Sequence, residues 1–365
     1  MAGQGDRLQE PEPAATVPPR GEAGPSRYRS RFRPEPEHAE AFTPTSRDFE
    51  LFAWVARFRF ASTSQIERRF FPSYKAASRR LRLLFHHRLL SRVHIPVQTG
   101  QPEAIYHLSP ANLTALKDLI AGEGKFGLWD ELRQLPTTPQ DAYSPYFLDH
   151  ELALTEFLAN LEAALEASTF RLLFWERETK AFADAVADPE RPSQRIPVRP
   201  DAFFGLENPE GLKAFFFVEM DNGTMPSSRF KEKLRGYLEY SRLGKFAGLV
   251  IQYQERYAFS LRTGQRPGFR VLVVARDRER GRHAGRRDLL FQVALELQDV
   301  RTFWFTDYPS VASPETILGP VWIRGQECGE AARAAGALPS GASPEARARV
   351  LSERIAAMPR RSILG

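Results

Sequence analysis

Cysteine is almost missing from this chain. Cys328 stands alone among 365 residues, which excludes an internal disulfide, a thiolate zinc cluster and a CxxC redox pair. Long apolar runs are missing too, and none approaches the roughly 20 residues that span a bilayer. The opening MAGQGDRLQEPEP has no hydrophobic stretch behind a basic start, so no secretory signal is expected. These absences predict a cytoplasmic protein with no membrane partner. No GxxxxGK[ST] or HExxH occurs, and the GxGxxG at Gly122, Gly124 and Gly127 follows an expected helix rather than a strand, so motifs alone suggest neither a nucleotide site nor a structural metal.

Charge is present but unevenly placed. Residues 1–45 hold six basic and seven acidic residues, residues 46–95 eleven and three, and the remaining 270 thirty-four and thirty-five. Counted in these three blocks the surplus lies in residues 46–95, which favours a single polyanion-binding module over a generally sticky surface. The length suggests about two domains plus tails. Residues 1–45 carry eight prolines and few large apolar residues, and read as a disordered tail. Its Arg27, Arg29, Arg31 and Arg33, interleaved with Tyr28 and Phe32, either add phosphate contacts or are simply solvated.

Within residues 46–135 the pattern predicts a helix over 47–59, a second capped by Thr63 or Ser64 and ending before Pro72, and a third from near Ser73. Ala77, Leu81 and Leu84 form the inner face of that third helix. Lys75, Ser78, Arg79, Arg82 and His86 form its outer face. Two short strands around Gln98–Pro102 and a helix at 109–121 follow. Three helices and a hairpin are the order of a winged helix-turn-helix, which lays its third helix in the DNA major groove. Lys75, Ser78, Arg79 and Arg82 are thus the candidate contacts to double-stranded DNA. Arg79 or Arg82 reaches guanine edges or phosphates. A basic solvated helix, or a module used for protein contacts, is the alternative. His86, His87 and His94 lack a carboxylate or cysteine at ligand spacing, so no metal is expected there.

Residues 136–146, with three prolines and no period, read as a linker. Beyond it the pattern gives a helix at 147–166, strands at 170–178, 198–206 and 213–221, and a polar loop at 181–196. A helix at 227–242, strand-like runs at 248–253 and 269–275, a helix at 286–298 and a last strand at 302–307 complete it. The expected class is α/β (α+β), a mixed sheet flanked by helices over 147–325. Residues 326–365 are expected as a tail with a possible short helix, because Leu351, Ile355 and Met358 are too few for a core.

Acids in this second domain fall where a metal site needs them. Glu219 and Asp221 share a face at the end of one strand, and Asp201 reaches the same spot if the neighbouring strand pairs antiparallel. Glu151 lies on the buried line of the 147–166 helix. Carboxylates crowded around one point repel without a cation, and oxygen-only ligands suit Mg²⁺ or Mn²⁺. Asp201, Glu219 and Asp221 are the candidate metal ligands.

Asp201, Glu219-Met220-Asp221, then Lys233 and Tyr237 on the next helix resemble the PD-(D/E)XK nuclease-like (restriction-endonuclease-like) core. With the basic module ahead of them, LDHELALTEF at 148–157, RPDAFF at 199–204 and VEMDNGT at 218–224 resemble the bacterial replication-relaxation family of plasmids and mobile elements, over about residues 46–325. That resemblance implies a link to plasmid replication and DNA relaxation. One departure stands out: the nuclease pattern places lysine where Asp221 stands. Lys233 is the preferred surrogate, with Lys231 the other lysine beside the core face of that helix. His150, next to Glu151, is a further candidate base, and Glu176 and Glu178 could extend the site.

The expected function is a DNA-binding replication or relaxation protein that nicks DNA with a divalent metal. Asp201 and Glu219 would coordinate it, Asp221 would assist, Lys233 would neutralise phosphate charge and Glu151 would orient the water. A pseudo-nuclease serving as a replication-accessory factor or transcriptional regulator is the first alternative. An adaptor that recruits a relaxase or helicase is the second.

Overall fold

The computed structural model describes residues 33–36, 39–41, 43–95, 102–135, 143–177, 184–276, 286–297, 300–325, 343, 350 and 353–364. Residues 136–142 of the expected linker at 136–146, Glu178, the tip of the predicted hairpin and residues 1–32 lie outside them, while Pro145 and Tyr146 of that linker already belong to a helix.

The basic module opens with α1 (Ser46–Phe58), β1 (Ala61–Ser62), α2 (Thr63–Phe70) and α3 (Tyr74–His86). Then come β2 (Ser91–His94), β3 (Ala104–His107), α4 (Pro110–Gly122) and α5 (Phe126–Leu132). α1 buries Phe49, Phe52, Val55 and Ala56 at helical spacing. Ser62, rather than Thr63 or Ser64, caps α2: its hydroxyl accepts from the Gln65 N–H while Gln65 returns a bond to the Ser62 N–H. Ser73 caps α3. β3 lies between β1 and β2, antiparallel to both. The two-residue β1 and the short α5 were not legible, since neither is long enough to show a period.

A long helix, α6 (Pro145–Glu166), joins this module to the main sheet. The hydroxyl of Ser144 caps it. Gln65 and Arg68 of α2 both reach Glu156 of α6, and Thr155 donates to the carbonyl of Phe60 at 2.8 Å. One continuous core runs from α1 through α6 to the near face of the sheet.

The main sheet comprises β4 (Arg171–Arg177), β7 (Ala202–Glu207), β8 (Lys213–Asp221), β9 (Phe269–Ala275), β10 (Phe303–Asp307) and β11 (Ile323–Arg324), with spatial order β11-β10-β9-β8-β7-β4. β4, β7 and β8 pair antiparallel, β8, β9 and β10 parallel, and β11 antiparallel. The mixed sheet flanked by helices is therefore present, with β8 central as its unbroken apolar run predicts. α6 covers one face. The other carries α7 (Ser227–Arg242), α8 (Lys245–Tyr257) and α9 (Arg286–Leu295) over a core rich in phenylalanine. The short α10 (Pro314–Ile317) packs back on α6.

Three expectations need correcting. The run at 248–253 is not a strand but part of α8, whose Phe246, Leu249, Val250 and Tyr253 face the sheet at helical steps. The polar loop at 181–196 contains a hairpin, β5 (Asp184–Ala187) with β6 (Arg195–Val198). It packs on α7 where Gly236 leaves no side chain: a Cβ there would stand 2.8 Å from Ile196. The expected tail is partly packed, with Ile355 wholly buried and Trp322 bridged to Arg361. Its apolar residues complete a core already built rather than making their own.

Candidate active site and nucleic-acid interface

The acid site is built by strand register. Ala202 of β7 stands opposite Val218 of β8, so Asp201 falls opposite Glu219 and the two share a face. The Asp201 N–H extends the ladder to the Val218 carbonyl at 2.9 Å. The Asp201 carboxylate accepts the Met220 N–H at 2.7 Å. Phe215 and Phe217 point to α7, and alternation sends Glu219 the same way. There Lys233 and Tyr237, one turn apart, close on it: the Lys233 ammonium donates to Oε2 and the Tyr237 hydroxyl to Oε1. His150 of α6 approaches Asp201 from the other side, Nε2 to Oδ1 at 3.5 Å.

This arrangement drives the two carboxyl groups apart. Burial disfavours charge on Asp201, but Lys233, His150 and the Met220 N–H outweigh it and hold the acid down to about 2. Burial pushes Glu219 up to about 7 against the pull of Lys233, and the charge of Asp201 adds to the rise. Burial lowers His150, yet its bond to Asp201 leaves it raised overall. Burial, with Glu219 beside it, lifts Tyr237 well above its ordinary value. One acid held ionised beside another poised near neutrality is the pattern of a proton-handling site.

The remaining candidates lie elsewhere. Asp221 is held by Arg286 through both oxygens, at 2.7 and 3.0 Å, and its Oδ1 also accepts the Gly223 N–H. Glu151, expected to orient water, pairs instead with Arg177 at 3.1 Å and Arg59 at 3.5 Å. Glu176 accepts from the hydroxyls of Tyr253 and Tyr257 and pairs with Arg256, so it supports α8. Lys231 pairs with Glu296, away from the acids.

Asp201 and Lys233 border an open cleft of about 450 Å³ that also meets Arg199 and Arg229. Both arginines are exposed, and neither has a carboxylate partner among the described residues. Sequence reading missed them. Their signal was proximity to the motif residues, two positions before Asp201 and four before Lys233. Asp149 ties the start of α6 to the ends of β8 and β9 by accepting from Asn222 at 3.3 Å and Arg276 at 2.7 Å.

Among the described residues no group of three or more His, Cys, Asp or Glu side chains is placed to hold a metal ion. Asp201 borders the cleft, and Glu219 lies buried behind it with Lys233 on one oxygen and Tyr237 on the other. Two oxygen donors fit a hard ion that retains waters, such as Mg²⁺ or Mn²⁺. Asp221, committed to Arg286, does not add a third.

On α3, Lys75, Arg79 and Arg82 are exposed, Ser78 is half-buried, and Ala77, Leu81 and Leu84 are buried. Arg80 turns inward to the buried Asp48. Burial opposes charge on Asp48, but Arg80 and Thr45 hold its carboxyl below the usual range.

A sequence model described as Replication-relaxation matches residues 52–249, more than half of the chain. The chain belongs to the replication-relaxation family. No curated protein and no solved structure matches it. The span shared with the replication-relaxation family runs from α1 into α8, and so includes α3, Asp201, Glu219 and Lys233. Arg276 and Arg286 fall outside it. Among the described residues no helix is long and apolar enough to cross a membrane.

Proposed function

We propose that this replication-relaxation protein binds double-stranded DNA through a winged helix-turn-helix formed by α1–α3 and the β2–β3 hairpin, in the replication of a plasmid or other mobile element. The observation that carries this reading is the exposed row Lys75, Arg79 and Arg82 on α3, within a window of eleven basic and three acidic residues at 46–95. A gel shift on duplex DNA tests it. Arg79→Ala with Arg82→Ala should abolish binding while the fold is kept, and wild-type binding should weaken steeply with salt as counterions are released. Unchanged binding by the double variant removes α3 from the account.

A second reading, nicking of one DNA strand, is favoured by the convergence of Asp201 and Glu219 beside a cleft rimmed by Arg199, Arg229 and Lys233. Asp201 and Glu219 would hold Mg²⁺ or Mn²⁺, which supplies polarisation of a phosphodiester and a lower pKa for bound water. The chain's own residues do the rest. Arg199 and Arg229 receive the backbone phosphates. Tyr237 fixes the rotamer of Glu219, His150 holds Asp201, and the Lys233 ammonium screens negative charge on the phosphate. Supercoiled plasmid with Mg²⁺ or Mn²⁺ should be opened by the wild type and not by Asp201→Ala. Equal rates exclude this site. No opening by the wild type, with DNA binding intact, leaves a pseudo-nuclease that acts as an accessory or regulatory factor. Loss of DNA binding altogether favours an adaptor for a relaxase or helicase.

A further inference from the structure

The stretch before α1 lies across the α3 face just described. The Glu40 carboxylate pairs with Arg79 at 3.4 Å, and the Glu40 carbonyl accepts from Nε2 of His87 at 2.9 Å. The Thr43 carbonyl accepts from Arg80 at 2.9 Å, and the Glu35 N–H donates to Nδ1 of His86 at 3.1 Å. From Pro34 to Pro44 the sequence carries Glu35, Glu37 and Glu40 and no lysine or arginine. An acidic segment thus abuts the basic window and touches Arg79, Arg80 and His86 of its helix and the capping His87. It does not seal the face: an open cleft of about 820 Å³ remains between the two, bordered by Lys75 and Arg82.

We propose that this segment is an autoinhibitory strap, an internal polyanion mimic that occupies the α3 face and must leave before duplex DNA docks there. The proposal rests on the reading of α3 as the DNA-binding helix. Backbone phosphates and the strap compete for the same cations, Arg79 most directly. Arg79 and Glu40 are both largely solvent-exposed, so their pairing is weak. The strap therefore tunes affinity rather than locking the protein shut.

The test is duplex affinity by fluorescence anisotropy for the full chain, with Glu35→Gln plus Glu40→Gln. A charge-matched control carries Glu123→Gln plus Glu131→Gln, both exposed and away from α3. Exposed ion pairs are individually weak, so affinity of the strap variant should rise by roughly three- to tenfold beyond the control. Hydrogen exchange in a peptide covering 33–45 should quicken when duplex is added. An affinity gain no larger than the control's, or a strap that becomes better protected in the complex, overturns the proposal while leaving α3 as the DNA-binding helix. Undiminished binding by Arg79→Ala with Arg82→Ala overturns the α3 reading itself, and the strap with it.

Discussion

Replacing Arg177 with methionine should unpin the basic module from the sheet. Arg177 is 5 % exposed and Glu151 4 %. From the end of β4 the guanidinium donates to the carbonyl of Phe58, the last residue of α1, and to the hydroxyl of Thr155 at 3.0 Å. It also donates to the Glu151 carbonyl at 3.1 Å and meets its carboxylate at 3.1 Å. One side chain thus joins α1, α6 and β4. Methionine fills much of the same volume but strands the Glu151 charge, leaving it only Arg59 at 3.5 Å. Breaking a buried pair in this way costs about 3–5 kcal/mol. Removing both charges, as Arg177→Met with Glu151→Leu, leaves mainly the lost hydrogen bonds, about 1–3 kcal/mol. The double variant should therefore be more stable than Arg177→Met alone by about 2 kcal/mol. Urea denaturation followed by tryptophan fluorescence suits the measurement, because Trp54 of α1 and Trp175 of β4 both lie beside Phe58. A cost below about 1 kcal/mol for Arg177→Met, or strict additivity in the cycle, would refute the pin. The same logic separates Glu151 from chemistry: Glu151→Gln should lower stability yet leave DNA binding and plasmid opening unchanged below its melting temperature.

Burial holds the imidazole of His107 down to about 4, against Phe60 and Tyr143. The fold favours the neutral ring, so its contribution is complete above the ordinary value near 6.5 and is lost as pH falls toward 4. That loss is about 3 kcal/mol. His107→Phe should flatten urea midpoints between pH 7 and 4, and an unchanged acid slope would show that another group sets it. Arg59 has φ 63° and ψ −52°, a conformation that suits glycine. Arg59→Gly and Arg59→Ala both lose the contact to Glu151, but the glycine variant should be more stable by about 1 kcal/mol or more; equal stabilities would mean the backbone there is relaxed. Ile355→Ala should cost about 2–4 kcal/mol, the value for a wholly buried aliphatic side chain, whereas a thermal midpoint equal to wild type would return this segment to the role of a loose tail.

Reading the sequence succeeded where one rule acted alone. Lys213–Asp221 is apolar on both faces, and only a central strand buries both. Lys233 and Tyr237 are four apart, and a helix puts them together whatever surrounds it. The run at 248–253 failed because six apolar-rich residues fit a strand as well as a helix. The period of α8 emerges only when Phe246 and Tyr253 are counted together. Arg177 and Arg286 were invisible for a different reason: each meets its acid through tertiary contact, 26 and 65 positions away, and no local pattern encodes such a pairing. Position 221 shows what this hides. Aspartate in place of the expected lysine lowers the local charge by two. Lys233 on Glu219 returns one unit and Arg286 on Asp221 the other. The site's charge balance is thus kept by two cations from two separate helices. The balance frees the Asp201–Glu219 pair from Asp221, and it implies that Arg286→Met would leave Asp221 without its cation at the end of β8.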